Sequence, residues 1–153
     1  MTIRVQTGDF DVGAEIAALR QGDARIGAVA AFIGLVRDIN DGSQVSRMTL
    51  EHYPGMTERS LERIVLEAKT RFSVDHALVI HRVGELLPTD QIVLVVTAGG
   101  HRGDVFAACE FIMDFLKTEA PFWKKEQGAK GDSWVASRQS DDDATARWRD
   151  KAV

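Results

Sequence analysis

The residues best placed for chemistry lie in Phe111-Ile-Met-Asp-Phe-Leu-Lys117-Thr-Glu-Ala-Pro-Phe-Trp-Lys124-Lys125-Glu126. An apolar helix that ends by delivering Lys117, followed by Lys124 beside Phe122 and Trp123, sets two cations against greasy walls, a setting that favours an anionic ligand. A second anion site is expected where the apolar run Ile92–Ala98 breaks at Gly99-Gly100-His101-Arg102. There a strand hands over to a helix whose first amides are unpaired and whose dipole is positive, and the glycines would let backbone approach a ligand. A straight helix from about 102 to 117 separates the two basic groups by about 20 Å at 1.5 Å per residue. Either the chain folds back or two copies share a site.

Each candidate has a plainer reading. Arg37 follows the apolar run Ala28–Val36 and is equally a solvated strand-end charge or a ligand. His101 and Arg102 divide between anion binding and an ordinary helix start. Lys117 shares a helical stripe with Phe106 and Met113, so its stem is expected to be partly buried and its ammonium constrained, usable as acid, base or nucleophile; otherwise it complements the helix dipole. Lys124 sits on a semi-buried aromatic platform. Arg138, after Trp134-Val135, is a weak signal alone.

Cys109 falls at helical spacing with Val105, Ile112 and Leu116 and reads as a packed thiol. His52, His76 and His81 lack partners at metal spacing, so no metal site is expected. Neither a phosphate-loop nor a dinucleotide glycine pattern is present, and no Ser-His-Asp or Cys-His arrangement can be proposed from spacing. Met56, Met113 and the phenylalanines read as core.

These groups need elements to position them. At 153 residues the chain is most simply one domain, 1–153, and a net charge of −4 argues against a general nucleic-acid binder. No leader precedes Val5 and no apolar run approaches the ~20 residues that span a bilayer, so a reduced cytoplasmic location is the expectation. Ile3–Thr7 reads as a strand and Val12–Leu19 as a short amphipathic helix. Gly27–Val36 reads as a strand buried on both faces; across the polar loop Asp38–Gln44 it is expected to form a hairpin with Val45–Tyr53. Thr57 is a plausible N-cap for a helix with the stripe Leu61, Ile64, Val65, Ala68 and Phe72. Strands follow at Ala77–Val83 and Gln91–Thr97, then the helix from about Arg102 to Lys117, stopped before Pro121. Phe122–Glu126 and Ser133–Ser137 flank a turn, and 139–153 is a polar tail or short helix. The fold class is α+β, with interleaved helices and mostly antiparallel strands.

The chain resembles the large, catalytic subunit of the molybdopterin synthase family from about Gly27 to Arg138. The resemblance rests on Phe32-Ile-Gly-Leu-Val-Arg37, Leu50-Glu-His-Tyr-Pro-Gly-Met56, Val79-Ile-His-Arg-Val-Gly-Glu-Leu86, His101-Arg102, Phe111 through Lys117, Ala120-Pro-Phe-Trp-Lys-Lys-Glu126 and Gly131-Asp-Ser-Trp134. It implies an α/β hammerhead-like fold and transfer of two sulfurs to cyclic pyranopterin monophosphate, giving the dithiolene of molybdopterin. It also implies a partner: a small ubiquitin-like sulfur carrier whose C-terminal Gly-Gly bears a thiocarboxylate. Two large subunits would form the centre of a heterotetramer, and no cofactor would be needed. Positions matching the family's catalytic lysines are Lys117 and Lys124. Arg37, His101, Arg102 and Arg138 would line the substrate pocket, with Phe32, Met113 and Glu126. Glu119, between the lysines, departs from the expected pattern and would weaken anion affinity there. A module that docks a Gly-Gly tail without chemistry is the alternative.

Overall fold

Two strands that are buried at nearly every position, β5 (His76–Arg82) and β7 (Gln91–Gly99), take the central places of a four-stranded sheet of order β1 (Thr2–Gln6), β5, β7, β2 (Ala28–Leu35). A strand covered on both faces has no polar side. In the computed structural model, which describes residues 1–40, 42–128, 131–135 and 139–149, Ala77, Val79, Val93 and Val95 pack with α2 (Met56–Arg71) and α3 (Arg102–Glu119). On the other face Leu78, Ile80, Leu94 and Val96 pack with Phe10 and with Val12, Ile16 and Leu19 of α1 (Val12–Arg20). β1 runs parallel to β5, and the remaining pairs are antiparallel.

A second sheet carries β3 (Ile39–Asn40), β4 (Ser43–His52), β8 (Phe122–Gly128) and β9 (Gly131–Val135) in that order, with β6 (Gly84–Leu86) also paired to β4. Strict alternation would put Val45 and Met48 on opposite faces of β4. A bulge between Val45 and Arg47 shifts the phase, and Val45, Met48 and Leu50 all turn inward. Met48 and Leu50 close a separate core with Val36, Val83 and Leu86 beneath the junction of the two sheets.

The structure corrects four expectations. β2 and β4 are not a hairpin: β2 pairs with β7, and it is the short β3 that pairs with the start of β4. Nor is β2 buried on both faces. It is the edge of its sheet, only Ala30 is buried, and Val29, Phe32, Ile33 and Leu35 are exposed. An apolar run records that a strand will be covered, not whether its own chain covers it. Thr57 does not cap α2, whose N-cap is Gly55 at φ 85°, with the Glu58 carboxylate accepting the Gly55 N–H. Thr57 is instead fully buried, accepting from the Tyr53 N–H and donating to the Pro121 carbonyl at 3.2 Å, which ties the start of α2 to the chain leaving α3. Finally, Met56 and Phe106 are exposed, at 52% and 67%, whereas Met113 is in the core.

The stripe Val105, Cys109, Ile112 and Leu116 of α3 is buried as its spacing requires, and burial pushes the Cys109 thiol up to about 11. α4 (Gln139–Arg149) lies on α3, its Trp148 set edge-on to Phe72 and Phe111 with centroids 5.7 and 5.5 Å away. Among the described residues no helix is long and apolar enough to cross a membrane.

Candidate functional site

Where the end of β2, the C-terminal turn of α3 and the start of β8 converge, the surface opens into a cleft of about 630 Å³. Phe122, Lys124 and Glu126 line it together because alternate residues of a strand share a face. Register fixes them further: Lys124 stands opposite Leu50 and Glu126 opposite Met48, two residues of the core beneath. Trp123, also at the cleft, lies 4.8 Å from Tyr53, centroid to centroid.

Arg37 is held by its neighbour. The Val36 N–H donates to the Asp90 carbonyl at 2.9 Å and the Val36 carbonyl accepts the Thr89 N–H at 2.8 Å, so the end of β2 is clamped to the turn that begins β7. That turn contains Thr89 at φ 77°, a left-handed conformation costly for a β-branched residue. Upstream, the ring of Phe32 lies over Gly34. A Cβ there would stand 3.4 Å from Phe32 Cε1 and 2.8 Å from Val93 Cγ1, so glycine lets the aromatic wall sit where it does.

Lys117 leaves the last turn of α3 and reaches the cleft with Leu116 and Ala120. It is exposed, contrary to the half-buried stem expected from its stripe: Met113 on that stripe is buried, but Phe106 and Lys117 are not. Among the described residues neither Arg37 nor Lys117 makes an ion pair or a side-chain hydrogen bond. In a chain of net charge −4 this leaves two cations available at one cleft. Glu119 does not answer them. Two residues further along a helix is a rotation of about 200°, and its carboxylate lies 4.0 Å from Arg63, outside the cleft lining. The expected penalty on anion affinity at the lysines therefore has no geometric basis.

The remaining sequence candidates lie elsewhere. His101 and Arg102 are exposed at the start of α3, about 22 Å from Lys117 along the helix axis. The adjacent glycines serve chain packing: a Cβ on Gly99 would meet the Ser73 carbonyl at 2.8 Å, and one on Gly27 the Gly100 carbonyl at 2.5 Å. Met113 is buried in the main core and does not line the cleft. Arg138 lies outside the described residues. One chain thus brings together Phe32, Arg37, Lys117, Lys124 and Glu126, and holds His101 and Arg102 at the opposite end of α3.

A family model described as MoaE protein matches residues 5–119. The chain belongs to the MoaE family. It is 69% identical over 147 residues to the molybdopterin synthase catalytic subunit of Ralstonia nicotianae, covering 96% of this chain and 84% of that one. It is 51% identical over 150 residues to the protein of the same name from Pseudomonas aeruginosa, covering 98% and 100%. The solved structure of the molybdopterin biosynthesis MoaE protein from Burkholderia ambifaria superposes with a TM-score of 0.83 at 57% identity, over 98% of this chain and 99% of that one.

In this MoaE chain the cleft also contains residues that spacing did not single out. Ser140 and Asp141, in the first turn of α4, form part of its rim. His81 forms part of its wall, 5% exposed and stacked on Phe122 with centroids 3.8 Å and planes 17° apart. Burial, helped by the charge on Lys117, brings its pKa down to about 4, although its hydrogen bond to the Arg82 carbonyl acts the other way. The signal was present: a histidine inside the apolar run of a strand covered on both faces needs a reason to be there.

Proposed function

We propose that this cleft is where the chain carries out sulfur transfer as the catalytic subunit of a molybdopterin synthase, in molybdenum cofactor biosynthesis. The observation that carries the reading is the convergence of Arg37, Lys117 and Lys124 on one cleft walled by Phe32, Phe122 and Trp123. Cationic groups fixed beside apolar walls recognise a phosphate and stabilise charge that develops during the reaction, while flat rings accept a fused heterocycle. The substrate is cyclic pyranopterin monophosphate. The sulfur arrives as a thiocarboxylate on the C-terminal Gly-Gly of a small ubiquitin-like subunit. A donor of that kind suits a chain whose single thiol, Cys109, is buried and held protonated by its surroundings.

In this reading Lys117 is the acid/base or the transient acyl acceptor near the thiocarboxylate carbon, and Lys124 balances developing charge. Arg37 holds the phosphate. His101, Arg102 and Arg138 join the pocket as substrate-binding groups, with Phe32, Met113 and Glu126 around them. Since α3 spans about 22 Å between its basic ends, His101 and Arg102 reach a substrate only from a second copy. The unpaired edge and exposed apolar side chains of β2 favour such a homodimer, because a long apolar edge strand is a surface that proteins ordinarily cover. With one small subunit on each copy the assembly is a heterotetramer, placed in the cytoplasm.

The test is a single-turnover assay of this protein with thiocarboxylated small subunit and cyclic pyranopterin monophosphate, following dithiolene product by mass. Wild type forms product. Lys117→Ala, which removes an acid/base group, is expected to lose about 10²–10⁴-fold in rate while still binding the small subunit. A stable complex without product from wild type would instead favour a docking module.

A further inference from the structure

His81 is the buried titratable group of the cleft that the reaction as described does not use. Its Nδ1 lies 2.8 Å from the Arg82 carbonyl oxygen. A carbonyl can only accept, so Nδ1 carries the hydrogen and, in the neutral ring, Nε2 carries a lone pair. No hydrogen bond to Nε2 exists among the described residues, yet no side-chain nitrogen or oxygen there is both sealed from solvent and unpartnered. Nε2 therefore retains an opening, and the open space beside this nearly buried ring is the cleft.

The ring cannot swing. β5 holds its backbone between β1 and β7, at Val5 and Val93, and Phe122 covers one face. The groups whose charge the ring feels are Lys117 on α3 and His52 on β4, and His52 is directed toward Glu58, 3.8 Å away. The cleft thus has a fixed acceptor without a donor, and Lys117 is a donor without an acceptor.

We propose that His81 is a positioning residue for Lys117: when the cleft is loaded, Nε2 accepts a hydrogen bond from the Lys117 ammonium and holds Nζ toward the bound substrate. The inference rests on the sulfur-transfer reading of this cleft. A neutral imidazole suits the role because it orients an ammonium without adding charge beside it. An exposed lysine on a flexible stem otherwise samples many rotamers, and fixing one converts binding into reactive geometry.

The test reads the ring directly. Nitrogen-15 spectra of uniformly labelled wild-type protein, in complex with unlabelled, unmodified small subunit, are recorded before and after addition of cyclic pyranopterin monophosphate. Before addition the His81 pattern is that of a neutral Nδ1–H ring with a free Nε2. After addition the Nε2 resonance moves toward that of a hydrogen-bonded nitrogen, and in Lys117→Met it does not. An Nε2–H tautomer overturns the proposal, as does an Nε2 shift of equal size in Lys117→Met, which would mean that the ring reads the substrate itself. Cleft resonances that move while Nε2 stays still also overturn it. If no resonance moves at all, the sulfur-transfer reading fails, and this inference fails with it.

Kinetics supply a second arm. His81→Phe keeps the stack on Phe122 and lacks the acceptor; kcat falls by about 10–100-fold, as small misplacement of a reacting group does, while affinity for the small subunit is unchanged. His81→Gln, which restores an acceptor near Nε2, recovers much of that loss. Equal losses in both variants would assign His81 a packing role only.

Discussion

Trp148 donates its indole N–H to the Asp114 carboxylate at 2.7 Å, and so fastens α4 to the helix that carries Lys117. The same carboxylate accepts from Arg147 at 3.2 Å, while Arg71 donates to the Trp148 carbonyl at 2.9 Å. One face of α4 is thereby keyed to both α3 and α2, and its first turn, with Ser140 and Asp141, comes to rest on the rim of the cleft.

Trp148→Ala should therefore act on stability and on the site together. Removing a large buried aromatic costs about 3–5 kcal/mol, and at about 2–4 °C per kcal/mol for a chain of this size the melting temperature drops on the order of 10 °C. Calorimetry checks the drop. Single-turnover rates measured well below the new transition should also fall, since the cleft loses a fixed edge; an unchanged rate would separate α4 from the site.

Thr89→Asn should stabilise. At φ 77° a β-branched residue is strained, asparagine tolerates the left-handed region, and the exposed Thr89 side chain makes no hydrogen bond among the described residues. A gain of about 1 kcal/mol is expected, visible as a rise in melting temperature. Because the Thr89 N–H to Val36 bond is retained, Arg37 keeps its place and activity is unchanged.

Acid should loosen the loop before β2. Asp23 accepts hydrogen bonds from Arg25 and lies 2.8 Å from His76, contacts that hold its carboxyl well below the ordinary value of 3.8. A depressed carboxyl contributes stability that is complete above the unfolded value and is lost as pH falls from there toward the folded one. Asp23→Asn should melt lower than wild type at pH 6, and the gap should narrow progressively as pH falls below about 4. Melting temperatures of both proteins from pH 6 to pH 2.5 decide this; a gap independent of pH would mean that the ion pair contributes nothing there.

Sequence alone determined what local physics determines. The apolar runs within β5 and β7 read as strands, the spacing of Leu61, Ile64, Val65 and Ala68 gave α2 and its inner stripe, and Cys109 took the buried place its helical phase demanded. Lys117, Lys124 and Arg37 were recognisable as candidates from residue type and setting, because a cation beside apolar residues is unusual wherever the chain later goes. Tertiary structure decided everything that depends on which surfaces meet. It made β2 an exposed edge, since an apolar strand reads the same whether its cover comes from its own chain or from another. It turned Val45 inward through a bulge that no alternation pattern reveals. And it placed His81 against Phe122, 41 positions away in the chain, because only the packing of one sheet against the other brings those two rings together.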